Sequence, residues 1–594
     1  MRKLTVTTVF DNGLASHFKQ VVFQPLTDEA AARSRQYAFV YHADRQVVQL
    51  RAAKVYRKDG RVDEAIESGE APADDPSINM YTLQRTFYVQ FPRLEPGDVV
   101  ELRYRVDDVA VRNEMSDYFG EIEYLQADEP IANVEYVLVT PKTKRFHIST
   151  GPVGRSRGQS GTSPHKTVTE VGDRRIYRFV ASDVEPLLPE PRMPRYQELL
   201  SHVHVSTFGS WNAVGAWYWG LSHEKLDVDD DVRKLARSLV EGLTSDRDKV
   251  AAIYHHAATE LRYVALELGI EGIRPRRAAL TLARGWGDCK DKATVIVSML
   301  RELGIAAEIV LVRTGLRGSF DTTTASLAPF DHAIAYVPSL DLYLDGTAEA
   351  TGTGELPAAD RSAVALRIGR GSGRLVRLPE PGAAQSQVRQ TLELTVTPGG
   401  ELTFSGVRSN QGVTAPAWRR RYHSQASRRE RIAGDLAGDL GPVELLAGKA
   451  GLSVSDLEAL EAPVRLTVAG VATAKREGVA LSVPIGPSFG LVGRFASRPS
   501  RRHDLMVGPL RDHQETWTFT VPQGMRVLSS PQPVALKSPY GSYELTVETK
   551  ANKVIARSRL RLTKPRIEPH EYGLWRQFCQ RVDAGGSPHL VVGK

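Results

Sequence analysis

Cysteine is scarce in this chain of 594 residues, which holds only Cys289 and Cys579. The two lie far apart in sequence and in different predicted domains, so they cannot form a disulfide framework or a zinc site. Cys579 stands among aromatic residues, which predicts a packed apolar side chain. A large exported protein does not need disulfides, so the shortage of cysteine leaves the cellular compartment open.

Long hydrophobic segments are missing as well. No run of 18 consecutive apolar residues occurs, and we therefore expect no transmembrane helix. Near the N-terminus, Asp11-Asn12-Gly13 interrupts the chain before the apolar run of a secretory signal has formed. Leu4, Val6 and Thr8 alternate with period two and predict a strand already under way. This start would fit a processed or truncated product of a longer chain, and a complete chain would be expected in the cytoplasm.

A strong excess of one charge is the third absence. The formal net charge is +7, spread over the whole length, and no stripe of basic and aromatic residues accompanies it. We therefore expect no nucleic-acid partner. The hydrophobic fraction of 41% and the charged fraction of 25% are typical of globular proteins, and the length predicts about three or four domains.

What is present divides the chain into three predicted domains of a multidomain α+β fold. Residues 1–185 contain short alternating runs between turn signals, which predict an N-terminal β-sandwich. Residues 186–384 begin with a proline-rich linker, continue with helical patterns and end in strands, an α+β layout. Residues 385–594 are β-rich again, with one helix predicted at Ala417 to Leu440 and a closing helix at Tyr572 to Val582.

The stretch Gly285–Ala293 combines a cysteine with the signals of a helix start. Glycines flank Trp286, and a helical pattern of apolar residues then runs to Gly304. Asp288 is suited to cap the first turn, which makes Cys289 the first residue of the helix. There the unpaired N–H groups and the helix dipole favour a thiolate, as a cysteine nucleophile requires.

Two further residues could complete such a site. His332 lies in a predicted strand that ends at Val337, and Asp345 ends the returning strand that starts at Leu342. Because a short turn joins these strands, we expect them to pair and to bring His332 and Asp345 side by side on one face. A lone cysteine or histidine is usually a structural residue, but nucleophile, base and orienting acid here follow in the order of a thiol acyl-transfer site.

The motifs at these positions closely resemble those of the transglutaminase-like superfamily. The similarity rests on Gly287-Asp288-Cys289-Lys290-Asp291, Phe330-Asp331-His332-Ala333 and Leu344-Asp345-Gly346-Thr347. More narrowly, the chain resembles bacterial proteins that carry a β-rich domain of unknown function before this core and a further β-domain after it. This resemblance covers nearly the whole chain, including Tyr263, the Arg274-Pro275-Arg276 approach and the closing helix around Trp575.

The resemblance implies a papain-like α+β core in which Cys289, His332 and Asp345 form a catalytic triad. Cys289 would attack a carboxamide or peptide carbonyl, His332 would act first as general acid and then as base, and Asp345 would hold the imidazole tautomer. The backbone N–H of Cys289 would stabilise the oxyanion, with Trp286 or Tyr263 as a second donor. The implied partner is a protein or peptide substrate, no cofactor is expected, and the oligomeric state is left open. Members of this family usually carry an export signal, so a processed form would be expected in the periplasm.

The reaction itself has two open alternatives at this level. The acceptor could be an amine, as in cross-linking, or water, as in a protease or amidase, because water exclusion and the acceptor groove are not visible in the sequence. The alternative to an enzyme is a non-catalytic scaffold that binds a peptide or an envelope component and keeps a vestigial core, since one fold hosts many functions.

Other polar clusters favour structural roles, and we expect no metal site. His255-His256 has no partner at metal spacing and predicts a solvated helix face, and His202 and His204 would need a third ligand. The acidic residues at 227–231 predict a helix cap and not a calcium loop. The arginine-rich stretch at 419–431 predicts a solvated helix face, with docking onto another domain or an acidic partner as the minor alternative.

Overall fold

In a computed structural model of the chain, the described residues are 1–75, 77, 80–151, 164–267, 269–585 and 588–594. The sequence also predicts an exposed hairpin loop at Gly151–Gly172, most of which lies outside these residues. Within the described part of the chain, no helix is both long enough and apolar enough to cross a membrane.

The N-terminal region consists mainly of antiparallel strands. Its elements are β1 Arg2–Val9, β2 Ala15–Phe23, α1 Asp28–Arg33, β3 Gln36–His42, β4 Gln46–Tyr56, β5 Val62–Glu64, β6 Glu67–Pro72, β7 Met80–Thr82, β8 Gln84–Gln90, β9 Val99–Asp108, β10 Gly120–Tyr124, β11 Ile131–Pro141, β12 His147–Thr150, β13 His165–Val171, β14 Arg174–Val184, α2 Tyr196–Leu199 and β15 His202–Ser206. An eight-stranded sheet has the order β13-β14-β11-β1-β2-β9-β4-β5, and the smaller sheets β3-β8-β6 and β10-β15-β12 accompany it. Apolar side chains of β4 and β9 share one buried cluster with those of β3 and β8, so the sheets pack face to face.

The central region places helices before a sheet. Its elements are α3 Trp211–Ser222, α4 Asp230–Leu239, α5 Asp246–Thr259, β16 Arg262–Tyr263, β17 Ala265–Glu267, α6 Ala278–Arg284, β18 Trp286–Gly287, α7 Cys289–Glu302, β19 Glu308–Arg313, β20 His332–Val337, β21 Leu342–Leu344, β22 Val364–Gly369 and β23 Ser372–Arg377. Short 3₁₀ turns lie at His223–Leu226, Gly269–Gly272 and Pro338–Leu340. The antiparallel sheet has the order β21-β20-β19-β22-β23. Helix α7 is buried at every position from 290 to 300, and its apolar residues join the cluster formed by the other helices and the sheet.

The C-terminal region is built on a second large sheet. Its elements are β24 Gln387–Val396, β25 Glu401–Gln411, α8 Ala415–Tyr422, α9 Gln425–Leu440, β26 Glu444–Leu445, α10 Gly448–Gly451, β27 Leu452–Val454, β28 Val464–Thr473, β29 Lys475–Glu477, β30 Ala480–Pro484, α11 Leu491–Phe495, β31 Leu505–Met506, β32 Arg511–Thr520, β33 Arg526–Ser529, β34 Val534–Ser538, β35 Gly541–Lys550, β36 Lys553–Leu562, β37 Arg566–Ile567, α12 Tyr572–Gly585 and β38 His589–Gly593. The sheet order is β26-β28-β25-β24-β32-β36-β35-β34, with β27 also on β28. Cys579 on α12 is fully buried in its core, as predicted.

Two predicted helices have different limits. The helix expected at Ala417 to Leu440 is two helices, α8 and α9, because the side chain of Arg428 donates to the carbonyls of Tyr422 and His423 and so satisfies the end of α8. The sequence also predicts a helix from Pro275 to Arg284, with proline in its first turn, but the helix starts only at Ala278. The preceding segment stays outside the helix because the amide of Arg276 donates to a carboxylate oxygen of Asp291, at 2.8 Å.

The arginine-rich stretch does not form a wholly solvated face, because Arg419 is only 3% exposed. Its guanidinium donates to the Glu355 carboxylate at 2.8 Å and to the carbonyl of Ala350 at 3.0 Å, both in the central region. It also donates to the carbonyls of Leu460 and Ala462 in its own region. The minor alternative, docking onto another domain, is therefore correct for this residue.

The N-terminal region also contacts the central region. The buried hydroxyl of Tyr118 lies 2.9 Å from Ser326 Oγ and accepts the amide of Leu327 at 3.0 Å. Ser149 accepts a hydrogen bond from Thr324 in the same loop. This loop leads into β20, so the N-terminal region holds the approach to His332.

Candidate active site

A reciprocal cap builds the start of α7. Asp288 has extended backbone angles, and its side chain accepts the amide of Asp291, while Asp291 accepts the amide of Asp288. This is a capping box with aspartate at the third helical position. It fixes Cys289 as the first residue of the helix, in a turn whose N–H groups have no acceptor within the helix. The thiol itself is partly exposed.

Asp291 also ties the helix start to the preceding chain. Its carboxylate is fully buried and lies 2.9 Å from Arg276 Nη1. The approach to the helix is equally close-packed at Gly287, where a Cβ would lie 2.7 Å from the Cβ of Asp291 and 2.9 Å from Thr281 Cγ2. Only glycine fits at this position, so the backbone before the thiol has little freedom.

A second buried pair flanks the thiol. The Lys290 ammonium contacts the Asp288 carboxylate, and both residues are less than a twentieth exposed. Burial would lower the pKa of Lys290, but Asp288, Cys289 and Asp291 raise it. Burial raises the pKa of Asp288, with Asp291 adding to the effect and Lys290 opposing it. The charge around the cysteine is thus balanced by fixed, buried partners.

Strands β20 and β21 bring His332 and Asp345 together. The strands pair antiparallel, as predicted, and Asp345 comes diagonally across from His332 at the end of β21. His332 Nε2 lies 3.2 Å from Asp345 Oδ1. The same oxygen accepts the amide of Thr347 at 2.9 Å and its hydroxyl at 2.7 Å. Since Nε2 faces the carboxylate, Nδ1 is the nitrogen left for Cys289.

The electrostatics of this pair favour a charged imidazole. Burial would lower the pKa of His332, but the Asp345 carboxylate, a hydrogen bond to it and a hydrogen bond to Cys289 raise it well above its ordinary value. Burial would raise the pKa of Asp345, but the charge of His332 and the hydrogen bonds from His332 and Thr347 lower it. An imidazolium beside a thiol is the partner that stabilises a thiolate. The structure therefore places the His332 side chain between the Asp345 carboxylate and Cys289 at the start of α7.

Lys292 is a residue of the site that the sequence analysis missed. It is fully buried, and its Nζ donates to the carbonyl of Gly346 at 2.9 Å, directly after Asp345. Burial lowers the pKa of Lys292 to about 8, although Glu349 and Asp345 oppose the effect. A signal was present, because Lys292 falls four positions before the buried Ile296 and so lies on the apolar face of the helix.

Asp360 is the second missed residue, and it comes from the loop between β21 and β22. It is 1% exposed, and it offers one ligand atom within 4.8 Å of those of His332 and Asp345. A metal ion held by these three residues would take the place of the hydrogen bond between His332 and Asp345, because the same nitrogen and oxygen atoms would be its ligands. No sequence signal marks Asp360, because it lies outside every periodic segment and every motif.

Trp286 and Tyr263 lie on the strands that lead into α7. β16 and β18 are parallel neighbours, with Tyr263 opposite Gly287. The guanidinium of Arg284 lies over the Trp286 ring, 5.2 Å from its centroid. Their role as oxyanion donors stays a prediction.

The remaining histidine candidates lie elsewhere. His202 and His204 are buried on β15, and burial lowers the pKa of His204 to about 4. His255, expected on a solvated helix face without a partner, contacts the Glu461 carboxylate of the C-terminal region at 2.9 Å. The acidic run caps α4 as predicted, since Asp229 accepts the first-turn amide of Val232.

Comparison with known proteins shows that three segments of the chain match family models. Residues 233–337 match the model of the transglutaminase-like superfamily. The flanking segments match two domains of unknown function with solved structures, DUF3857 over residues 11–187 and DUF3858 over residues 492–592. No match was found among curated proteins.

A solved structure shares the fold of the whole chain. A "putative protease" from Parabacteroides distasonis ATCC 8503 is similar over 100% of this chain and 98% of its own, with a TM-score of 0.69 and 15% identity. At that identity the likeness establishes the shared fold. A "putative cysteine protease" from Cytophaga hutchinsonii aligns with 39% of this chain and 78% of its own at 15% identity, but its TM-score of 0.17 carries no argument. The expected family resemblance and the multidomain α+β fold are confirmed.

Proposed function

We propose that this chain, which carries a transglutaminase-like domain between two β-rich regions, is a cysteine-dependent enzyme that transfers acyl groups from amide or peptide bonds through a thioester. The observation that carries the proposal is the position of His332, which lies between a carboxylate 3.2 Å away and the cysteine at the helix start. Both neighbours raise the pKa of the imidazole well above its ordinary value and so favour its charged form.

The first half-reaction follows from these positions. Cys289 Sγ attacks the carbonyl carbon as a thiolate, and the C–N bond then breaks as His332 gives its proton to the leaving nitrogen. A thioester and a neutral imidazole result. Asp345 keeps the ring oriented throughout and stabilises its charged form before this step.

The oxyanion of the tetrahedral intermediate needs a donor at the helix start. Asp288 engages the amide of Asp291 through its side chain and the amide of Lys292 through its carbonyl. The amide of Cys289 remains available to a carbonyl oxygen bound at the thiol. Trp286 and Tyr263 are the candidates for the second donor.

In the second half-reaction, His332 accepts a proton from the incoming nucleophile, which attacks the thioester and releases the Cys289 thiolate, so the starting ion pair is restored. Water gives hydrolysis, and a primary amine gives a cross-link. Cys289 is partly exposed and the His332 side chain is 14% exposed, so a small nucleophile can approach both. A generic assay separates the two acceptors: with casein as amide donor, incorporation of a fluorescent primary amine reports transfer, and new peptide ends report hydrolysis.

The decisive test is iodoacetamide labelling with peptide mapping, in which Cys579 is an internal control. Burial raises the pKa of Cys579 to about 12, so it should stay unlabelled in the folded protein. Cys289 should react rapidly even at about pH 6, well below the range in which ordinary thiols ionise. His332→Ala should slow the reaction of Cys289 at this pH by about tenfold or more, because the thiolate loses its cationic partner.

The opposite result has a clear meaning. If Cys289 labels slowly at about pH 6 and His332→Ala changes nothing, the thiol is not activated and the enzyme proposal fails. The chain would then fit the alternative, a scaffold that binds a peptide or envelope component. Cys289→Ala is the matched control. An active-site thiol should be dispensable for stability, so the melting temperature of this variant should stay close to that of the unchanged protein.

A further inference from the structure

Asp360 brings a second carboxyl group to the acid of the site. It is 1% exposed, and one ligand atom each of Asp360, Asp345 and His332 lie within 4.8 Å of one another. Two carboxylates so close to each other, both out of water, cannot both remain charged without a large cost. One of them is therefore expected to keep a proton.

Hydrogen bonding decides which carboxyl keeps it. Asp345 Oδ1 faces His332 Nε2 and accepts two hydrogen bonds from Thr347, so Asp345 is stabilised as a carboxylate. Asp360 Oδ2 is buried and has no hydrogen-bond partner within the described part of the chain. The carboxyl with fewer hydrogen-bond donors around it costs less to protonate, so the proton is expected on Asp360. That proton supplies the hydrogen-bond donor that two facing carboxylates would lack.

We propose that Asp360 is a positioning residue whose protonated carboxyl donates a hydrogen bond to Asp345 and keeps that carboxylate charged and oriented toward His332. The inference rests on the proposed function, because it assigns a role to Asp345 within that site. Two backbone hydrogen bonds fix the chain around Asp360. The amide of Asp360 donates to the carbonyl of Pro357, and the neighbouring carbonyl of Ala359 accepts the amide of Gly315 at 2.6 Å.

The charges around Asp360 agree with a retained proton. Burial raises the pKa of Asp360 to about 8, the Asp345 carboxylate adds to the effect, His332 opposes it, and Asp331 raises it further. Arg361 and Tyr254 are the other titratable groups that face it. Asp360 should therefore be a neutral acid at neutral pH and should lose its proton near pH 8.

Infrared spectroscopy reads this proton without any substrate. A protonated carboxylic acid has a carbonyl stretch separate from the carboxylate bands. The difference spectrum of the full-length protein between about pH 7 and about pH 10 should contain such a band from Asp360; Asp439, whose pKa burial raises to about 6, is already largely ionised above pH 7. The band should be absent in Asp360→Asn. Its presence in both proteins, or its absence in both, would overturn the proposal.

Labelling of Cys289 then tests what the proton does. Asp360→Leu removes the donor, so the Asp345 carboxylate becomes easier to protonate and His332 loses its partner at higher pH. The midpoint of the acidic limb of iodoacetamide labelling should move upward by about one pH unit. Asp360→Asn keeps an N–H donor on a side chain of similar shape, so the midpoint in this variant should lie close to that of the unchanged protein. A purely structural role for Asp360 would instead shift the midpoint in both variants or in neither.

The outcomes separate this inference from the proposed function. If Cys289 is reactive and depends on His332, but the three labelling profiles coincide, the role of Asp360 is refuted and the enzyme proposal stands. If Cys289 is unreactive, the enzyme proposal fails while the infrared band still tests the proton on Asp360. Zinc binding is the third measurement. If the unchanged protein retains one zinc ion after dialysis and Asp360→Asn does not, Asp360 belongs to a metal site and the proposed hydrogen bond is refuted.

Discussion

Replacing Lys292 by methionine would test how the segment after Asp345 is held against the cysteine helix. Methionine fills a similar volume but carries no charge and cannot donate to the carbonyl of Gly346. At about pH 7 two effects oppose each other. The lost hydrogen bond leaves a buried acceptor unpaired, at a cost of about 1–3 kcal/mol, while removal of a buried ammonium is favourable by a similar amount.

The pH dependence separates the two effects. Lys292 has a pKa of about 8 in the fold against 10.5 ordinarily, so between these values the unfolded chain binds more protons and stability rises with pH. From about pH 7 to about pH 10 this rise amounts to ~2.5 kcal/mol in the free energy of unfolding. Lys292→Met cannot show the rise. Relative to the unchanged protein, it should therefore lose ~2.5 kcal/mol of stability over this range.

Urea-induced unfolding at the two pH values measures this difference. A chain of several domains need not unfold in one step, so the comparison uses the unfolding transition that the substitution changes. Lys290→Arg is the matched control on the same helix. Asp288 raises the pKa of Lys290, so its charge persists to high pH, and arginine keeps that charge beside Asp288. That variant should differ from the unchanged protein by the same amount at both pH values. If Lys292→Met also lost the same stability at both, Lys292 would not be a buried ammonium of lowered pKa, and the reasoning would fail.

Two further predictions concern the contacts between regions. Arg419→Met should lower the free energy of unfolding by about 3–5 kcal/mol, because it leaves the largely buried Glu355 carboxylate without its cationic partner. Arg420→Met, at an exposed neighbouring position, should change the free energy of unfolding by less than about 0.5 kcal/mol. Thermal melting compares the two variants, and equal effects would contradict the buried contact. Tyr118→Phe should speed amide hydrogen exchange at Leu327, which loses its acceptor; unchanged exchange there would refute the docking of the N-terminal region.

The sequence was informative where local periodicity and a short connection determine geometry. The helical pattern after Asp288 placed Cys289 at a helix start, and the short turn after Val337 predicted the pairing that brings His332 to Asp345. In both cases the deciding interactions join residues that are close in sequence. Such interactions leave a pattern that one sequence can display.

The rest depends on contacts between distant segments. Asp360 reaches the site from a loop without periodicity, so nothing in its neighbourhood distinguishes it from a surface aspartate. Arg419 lies in a strongly basic stretch, and composition alone favoured a solvated face over the burial that the structure gives it. Arg276 stays outside the helix predicted around it because its amide donates to Asp291. Each of these outcomes is decided by a tertiary partner, which overrides local propensity.

The anchorage of Arg419 bears on how this chain can be divided and inherited. The segment that matches the superfamily, residues 233–337, ends before Asp345, and the loop that follows is held by a side chain from the C-terminal region. A fragment cut at the end of the matched segment would lack the acid, and one cut at residue 384 would lack the anchor. The smallest piece that keeps the whole site must therefore extend into the C-terminal region. Recombination that exchanged the C-terminal region alone would have to preserve this arginine, so the two regions are expected to be inherited together.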